Sequence, residues 1–192
     1  MMARSLARLL APLAALALLA GCAATQEARS QPVEIRVPAP RGRTAPVRAR
    51  YVLLAADALP EPDLARTKDY VLRAKASLAS TLLEAAAPRM RAFGLDPLEA
   101  REAGMASGRL IVVLTRLEAA LEKNRWEAAA VLTVEAAGSD GKLRGRWTSS
   151  GRGAHDDSRI LGGGAGLAMG QAIGEALDRV PWEQIGGARP SP

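Results

Sequence analysis

Apolar and polar residues follow strand-like patterns in the first and central parts of the chain. Val33–Val37 alternates apolar and polar side chains with a period of two, and it predicts a half-buried strand that Pro38 ends. A continuous apolar run predicts a second and more buried strand over about residues 47–55. The strongest strand signal covers residues 109–118, whose first half is apolar on both faces and therefore indicates a central strand.

A β-hairpin is predicted between two further strands, at about residues 126–137 and 142–150. Asp140 and Gly141 lie between these strands, and an Asp-Gly pair between alternating runs is one of the strongest hairpin signals. With these two residues as the loop, the pattern predicts a particular register for the hairpin.

In that register, Val134 lies opposite Trp147 on one face of the hairpin, and Glu135 lies opposite Arg146 on the other. The first pair is apolar and the second is ionic. Both faces therefore support the same register.

Two helices are indicated by apolar residues at helical spacing. The first is long: Asp63 caps it, Pro88 kinks or ends it, and Gly94 is its last plausible stop. A short helix is predicted within residues 96–104, where a cap is followed by a proline and an acid. The second main helix covers residues 167–180 and is rich in glycine.

This order of elements predicts an α+β fold. We expect a mostly antiparallel sheet of about five strands, with the long helix and the C-terminal glycine-rich helix packed on one face. The folded part is a single domain over residues 33–182. A flexible tether at residues 22–32 precedes it, and a disordered tail at residues 183–192 follows it.

Glycines recur every four residues in the C-terminal helical segment, at Gly162, Gly166, Gly170 and Gly174. On a helix they form one smooth stripe that another backbone can approach closely. One interpretation is close packing against the protein's own sheet, which we favour, and the other is self-association between copies. Polar residues in the same segment exclude a bilayer-spanning helix.

The amino-terminal segment has the three parts of a bacterial export signal. Arg4 and Arg8 make the start basic, residues 9–20 are apolar, and a small residue precedes the cysteine. The run is too short for a transmembrane anchor and contains Pro12. Its end, Leu19-Ala20-Gly21-Cys22, resembles a bacterial lipobox. The alternative is an ordinary secretory signal with Cys22 as an incidental thiol.

The lipobox resemblance implies that residues 1–21 are a lipoprotein signal peptide. Cys22 would then carry a thioether-linked diacylglycerol and an acyl group, such as palmitate, on the new amino terminus. In the lipoproteins that this segment resembles, an Asp after the cysteine favours the inner membrane. Ala23 therefore implies the outer membrane, on its periplasmic side.

Composition narrows the range of partners. Cleavage before Cys22 leaves residues 22–192, 171 in all, with a formal charge of +4 after the loss of Arg4 and Arg8 from a chain of +6. Aromatic residues make up 3% of the sequence, so the stacking platforms of nucleic-acid-binding proteins are not expected. The basic surface could meet anionic lipid or lipopolysaccharide phosphates, or it could simply be solvated.

No group of residues has the pattern of a catalytic, cofactor or metal site. Cys22 is the one cysteine and His155 the one histidine, and His155 lies beside Asp156 and Asp157 in a stretch that we interpret as a solvated loop. Three adjacent residues cannot all face one ion. No serine lies in a nucleophile elbow, and the glycine run lacks a phosphate-binding lysine. We therefore expect a protein without enzymatic activity.

The lipobox together with this order of elements resembles small periplasm-facing lipoproteins, such as the lipopolysaccharide-assembly lipoprotein and the auxiliary lipoproteins of lipid-transport ABC systems. The resemblance implies an accessory for envelope assembly or transport that binds a protein or a lipid. A lipid would use the groove between the long helix and the sheet. A protein would use a sheet edge or the exposed face that carries Arg144 and Arg146. The alternative is a structural or stress-related envelope lipoprotein that self-associates through the glycine stripe.

Overall fold

The architecture is α+β, with a five-stranded sheet, a three-stranded sheet, and helices packed against the larger sheet. The computed structural model describes residues 28–40, 42, 44–157 and 163–187. The elements in chain order are β1 (Arg29–Val33), β2 (Ala49–Asp57), β3 (Asp63–Arg66), β4 (Tyr70–Ala74), α1 (Leu78–Ala92), β5 (Leu95–Leu98), a 3₁₀ helix (Ala100–Met105), β6 (Gly108–Glu122), β7 (Arg125–Gly138), β8 (Leu143–Asp156), α2 (Gly164–Asp178) and α3 (Trp182–Gly187). The predicted α+β class is confirmed.

The larger sheet has the order β5-β2-β6-β7-β8 and is mixed. Strands β5, β2 and β6 run parallel, and β6, β7 and β8 run antiparallel. The sheet is therefore less antiparallel than the pattern predicted. The parallel half arises because α1 carries the chain back between β2 and β5, and a crossover of that kind makes neighbouring strands parallel.

The start of the predicted long helix is wrong. The residues after Asp63 form the hairpin of β3 and β4, and α1 begins only at Leu78, where the side chain of Ser77 accepts the N–H of Ser80. The carboxylate of Asp63 does not cap a helix. It pairs with Arg66 of the same strand at 3.0 Å and with Arg73 across the hairpin at 2.9 Å.

The predicted stop of this helix at Gly94 is confirmed, because α1 continues through Pro88 to Ala92 and Gly94, with a positive φ, follows its cap residue Phe93. The short helix predicted within residues 96–104 is replaced by the edge strand β5, which contains Pro97, and by the 3₁₀ helix. A proline is tolerated in an edge strand because the missing N–H faces away from the sheet.

The first strand lies earlier than predicted. Strand β1 pairs in parallel with β4 and ends at Val33, and residues 34–40 continue without strand pairing. Residues 29–32 therefore belong to the fold, and the predicted flexible tether is wrong for them. The signal peptide and Cys22 lie outside the described residues.

The carboxyl-terminal tail is also partly folded. Trp182 and Ile185 of α3 are buried, the Trp182 indole donates to the carbonyl of Leu177 at 3.0 Å, and the Tyr51 hydroxyl donates to the carbonyl of Ile185 at 3.2 Å. The predicted disordered tail is therefore wrong for residues 183–187. Residues 188–192 lie outside the described part of the chain.

The predicted register of the β7–β8 hairpin is found in the structure. Val134 lies opposite Trp147, and Glu135 lies opposite Arg146. A bulge after Ala136 makes the connection longer than the two residues that were predicted. The two opposed pairs therefore predicted the register correctly, although the turn is longer than predicted.

One face of the larger sheet carries the core. Helix α1 packs on β2 and β5, helix α2 packs on β7 and β8, and the two helices contact each other. The largest fully buried side chains are Trp126, Trp182, Leu72, Leu82, Met90, Leu95, Leu110, Leu114, Leu132, Met169, Ile173 and Leu177. Both helices therefore lie on the same face, as predicted.

Arg89 of α1 is the one charged side chain in the core of the described chain, with 3% of it exposed. Its Nε donates to Asp178 of α2 at 2.6 Å, Nη1 donates to the carbonyl of Ala85 at 2.9 Å, and Nη2 donates to the carbonyl of Pro38 at 3.0 Å. Arg89 therefore joins both helices to the segment that follows β1.

We expect Arg89→Ala to lower the free energy of unfolding by about 3 kcal/mol, because it removes three hydrogen bonds and leaves the space of a buried side chain empty. Arg91→Ala, on the exposed side of the same helix, serves as the control and should change the free energy by about 0.5 kcal/mol or less. Urea unfolding followed by circular dichroism measures both. Equal effects of the two substitutions would contradict the role of Arg89.

Candidate interaction surface

The glycine stripe of α2 is covered by the protein's own backbone. A Cβ added at Gly166 would overlap the carbonyl oxygen of Glu34, and one at Gly170 would overlap that of Arg36. A Cβ at Gly174 would lie 3.3 Å from the Arg89 guanidinium. The segment after β1, and not the sheet, is therefore what packs on the stripe. Gly162 lies outside the described residues.

The sheet approaches α2 through a second pair of glycines. A Cβ at Gly151 or Gly153 of β8 would overlap backbone atoms of α2. These residues belong to a strand, so the solvated loop predicted after Ser150 is wrong. His155 accordingly lies in β8, opposite Trp126 of β7.

Two classes of site receive no support from the described residues. Among them, no group of three His, Cys, Asp or Glu side chains could hold a metal ion. In the same part of the chain, no helix is long and apolar enough to cross a bilayer.

The proposed lipid groove between α1 and the sheet is filled by protein. Leu82 and Met90 of α1 are fully buried there, against Leu53 and Leu110 of the sheet. A cavity of about 710 Å³ lies instead on the outer side of the helices, next to residues 38–40, Arg89 and Asp178. Its walls mix apolar residues, such as Phe93 and Trp182, with charged ones, and Arg89 is already held by three partners.

The opposite face of the larger sheet, which we call the open face, is covered by neither α1 nor α2, and the 3₁₀ helix lies only at its corner beside Val52 and Leu54. Half-buried aliphatic residues at alternate positions form its centre: Leu54, Ile111, Val113, Ala129 and Val131. Six exposed arginines lie on this face by the same alternation: Arg50, Arg109, Arg116, Arg125, Arg146 and Arg152. Glu118, Glu127 and Glu135 lie there too. The open face is thus an apolar strip with charged side chains around it, of which more are basic than acidic.

Only some of these arginines are neutralised. Arg146 pairs with Glu135 and Arg116 pairs with Glu118, each at 2.6 Å. The hydrogen bond from Arg116 lowers the pKa of Glu118. Arg109 and Arg152 make no ion pair with any residue in the described ranges, so the open face keeps free positive charge.

Strand β8 forms one edge of the larger sheet, and α2 covers part of that edge. The backbone N–H of Arg152 donates to Glu175, and that of Ala154 donates to Gln171 at 3.1 Å. Arg179 donates to the carbonyl of Ser150 at 2.8 Å. Side chains spaced four residues apart on α2 thus take the place of a neighbouring strand.

The preceding part of β8 has no such cover. In an antiparallel strand, alternate residues direct both backbone groups to the same side. Because residues 150, 152 and 154 bond away from β7, Arg146 and Thr148 also point their N–H and carbonyl groups outwards. No residue of the described chain bonds to these groups. We call residues 146–149 the open edge.

The predicted partner residues Arg144 and Arg146 both lie at this end of β8. Arg144 is held by Asp140 at 3.0 Å beside the turn, whereas Arg146 lies on the open face next to the open edge. Sequence reasoning did not identify Arg109 or Arg152. The alternation along β6 and β8 could have placed them on one face, but it does not show that the face is uncovered.

Comparison with known proteins shows the fold. No family model matches the chain, and no curated protein matches it. The crystal structure of protein XCC0632 from Xanthomonas campestris, assigned to DUF330, matches with a TM-score of 0.56 and 14% identity, over 82% of this chain and 96% of that one. At this identity the likeness establishes a shared fold and nothing about activity.

Two further structures match less well. Lipoprotein GNA1162 from Neisseria meningitidis has a TM-score of 0.41 and 11% identity, over 58% of this chain and 88% of that one. The PelC dodecamer from Paraburkholderia phytofirmans has a TM-score of 0.43 and 18% identity, over 72% and 93%. At these TM-scores neither structure supports an argument about this chain.

Gly170→Ala should lower the free energy of unfolding by about 2 kcal/mol, because the new methyl group displaces the backbone of Arg36. Gly104→Ala is the control, since no atom lies within 4 Å of a Cβ there. Thermal unfolding of both variants measures the difference. Stabilisation by Gly170→Ala, as helix propensity alone predicts, would show that the segment does not pack on the stripe.

Proposed function

We propose that this protein is a lipid-anchored outer-membrane lipoprotein that faces the periplasm and binds an envelope protein without catalysing a reaction. The anchor rests on Leu19-Ala20-Gly21-Cys22, whose four residues resemble a lipobox. The binding role rests on the open face, where exposed arginines surround an apolar strip. Uncovered apolar surface with a polar rim is typical of protein interaction sites.

The position of β1 makes the link between Cys22 and the folded domain short. Six residues, 23–28, separate Cys22 from Arg29, where β1 begins. A fully extended chain gains at most about 3.6 Å per residue, so this link spans no more than roughly 25 Å. The domain of the anchored protein would therefore remain close to the membrane surface, and so would its partner.

The filled interior favours a protein partner over a lipid cargo. A lipid carrier needs a cavity that can enclose an acyl chain, whereas the space between α1 and the sheet is occupied by buried side chains such as Leu82 and Met90. The open face has the opposite character, because its aliphatic residues are only half-buried. A protein partner would remove the rest of this apolar surface from water.

Self-association through the glycine stripe is less well supported. The backbone at Glu34 and Arg36 already occupies the surface of Gly166 and Gly170. A second copy could bind there only after this segment had left α2 and Arg89 had lost the carbonyl of Pro38. We therefore propose the accessory role and not self-association through the glycine stripe.

Cys22→Ser tests the anchor. We expect the wild-type protein to incorporate labelled palmitate and to fractionate with the outer membrane, because the cysteine thiol is the only one in the chain. The variant should do neither and should remain uncleaved. Palmitate incorporation by Cys22→Ser, or membrane release of the wild type by salt alone, would disprove lipid anchoring.

Val113→Asp tests the open face, because it places a charge at the centre of the apolar strip. After crosslinking and affinity capture from envelopes, we expect recovery of the bound protein to fall about tenfold, which corresponds to about 1.4 kcal/mol. Val47→Asp is the matched control, at a side chain that is 60% exposed and precedes β2.

Circular dichroism and thermal unfolding establish that both Val→Asp variants are folded. Undiminished recovery with folded Val113→Asp would exclude the open face as the binding surface.

A further inference from the structure

The open edge of β8 has the backbone groups that a further strand requires. Arg146 and Thr148 direct N–H and carbonyl groups away from the sheet, and no described residue bonds to them. Main-chain hydrogen bonds of this kind provide the affinity when an extended peptide adds to a sheet edge. The backbone of β8 is therefore already arranged to accept a strand.

The other sheet edges of the described chain are poorer templates. Strands β5 and β3 have four residues each, β5 contains Pro97, and β1 contains Pro32. Short strands and prolines are common means of preventing strand addition at an edge. Strand β8 has 14 residues, and α2 covers its backbone only from Ser150 onwards.

Side chains on both faces of the open edge indicate what the added strand would contain. On the open face, Arg146 is exposed and pairs with Glu135, and Arg152 lies beyond the open edge with no ion pair within the described ranges. On the helix side, Trp147 is only half-buried and packs against the core. Carboxylates on one side of the added strand and apolar side chains on the other would complement both faces.

The cover that α2 provides disfavours a second copy of this chain as the occupant. If two β8 strands paired in antiparallel fashion about Thr148, Arg146 of each copy would lie opposite Ser150 of the other, whose carbonyl already accepts a hydrogen bond from Arg179 at 2.8 Å. The edge is therefore suited to a different chain, and the exposed Arg146 favours one that is acidic.

We propose that residues 146–149 of β8 bind an extended segment of a partner protein as an additional strand, and that this segment alternates acidic and apolar residues. The proposal rests on the proposed binding function and identifies the chemistry of the partner. Thr148 lies at the centre of the new ladder. Arg146 pairs with Glu135 in the free chain, and its exposed guanidinium also faces a carboxylate of the added strand.

A short capped peptide of alternating glutamate and valine, labelled with fluorescein, is the probe. It is titrated with the full lipidated chain in detergent micelles and followed by fluorescence anisotropy. A lysine–valine peptide of the same length controls for non-specific strand pairing. We expect the glutamate peptide to bind and the lysine peptide to bind at least tenfold more weakly, about 1.4 kcal/mol.

Thr148→Pro removes one outward N–H, and an edge position tolerates this because the N–H has no partner in the folded chain. We expect the substitution to weaken glutamate-peptide binding about tenfold. Thr148→Val is the matched control, since it keeps the N–H and the β-branched shape, and it should bind like the wild type. Hydrogen exchange should show that the peptide protects the amides of Arg146 and Thr148.

Arg146→Glu provides a readout that a loss of folding cannot imitate. It should weaken binding of the glutamate peptide and strengthen binding of the lysine peptide, because the sign of the charge beside the edge is reversed. Lys142→Glu, in the exposed turn before β8, changes the net charge equally and should leave both affinities unchanged.

Three results would overturn the proposal: no binding of the glutamate peptide, equal binding by folded Thr148→Pro, or no protection of the amides at the open edge. Sedimentation that finds wild-type dimers, and monomers for Thr148→Pro, would assign the edge to a second copy and overturn it as well. None of these results alters the palmitate or Val113→Asp experiments, which test the anchor and the open face separately.

Discussion

The close approach of two backbones to helix α2 is the constraint on which the rest of the structure depends. On one side, β8 reaches the helix through Gly151 and Gly153, and on the other the segment after β1 lies across Gly166 and Gly170. Side chains at these positions would hold the layers apart. Arg89 then joins α1 to α2 through Asp178, and to the segment after β1 through the carbonyl of Pro38. Helix α1, the larger sheet and the segment after β1 are thereby held together around α2.

This packing also determines which surface remains available. Because α2 lies close to β8, Gln171, Glu175 and Arg179 can reach around the strand and bond to its backbone from Ser150 onwards. The helix does not extend over Arg146, so the edge is left open there. The same arrangement puts α1 and α2 on one side of the sheet. The basic open face and the open edge are thus two results of the position of α2.

Features that depend on neighbouring residues could be predicted from the sequence. The β7–β8 register follows from an Asp-Gly turn and two complementary pairs, and the structure contains both pairs. The stretch after Asp63 shows the opposite case. Its apolar residues suit a helix as well as two short strands, and the choice depends on the distant partner strand β1 and on contacts with β6. Strand β1 lies before its predicted position, because that position depends on pairing with β4, which is distant in the chain.

By itself, the sequence determined the resemblance of Leu19–Cys22 to a lipobox, the strands of the central hairpin and the existence of a glycine stripe, because each depends on residues close together in the chain. Only the tertiary structure decided what covers the stripe, which strand lies at the edge and which arginines share an uncovered face. These depend on the order of strands in the sheet. That order is set by contacts between residues far apart in the chain, and no local pattern of apolar and polar positions records it.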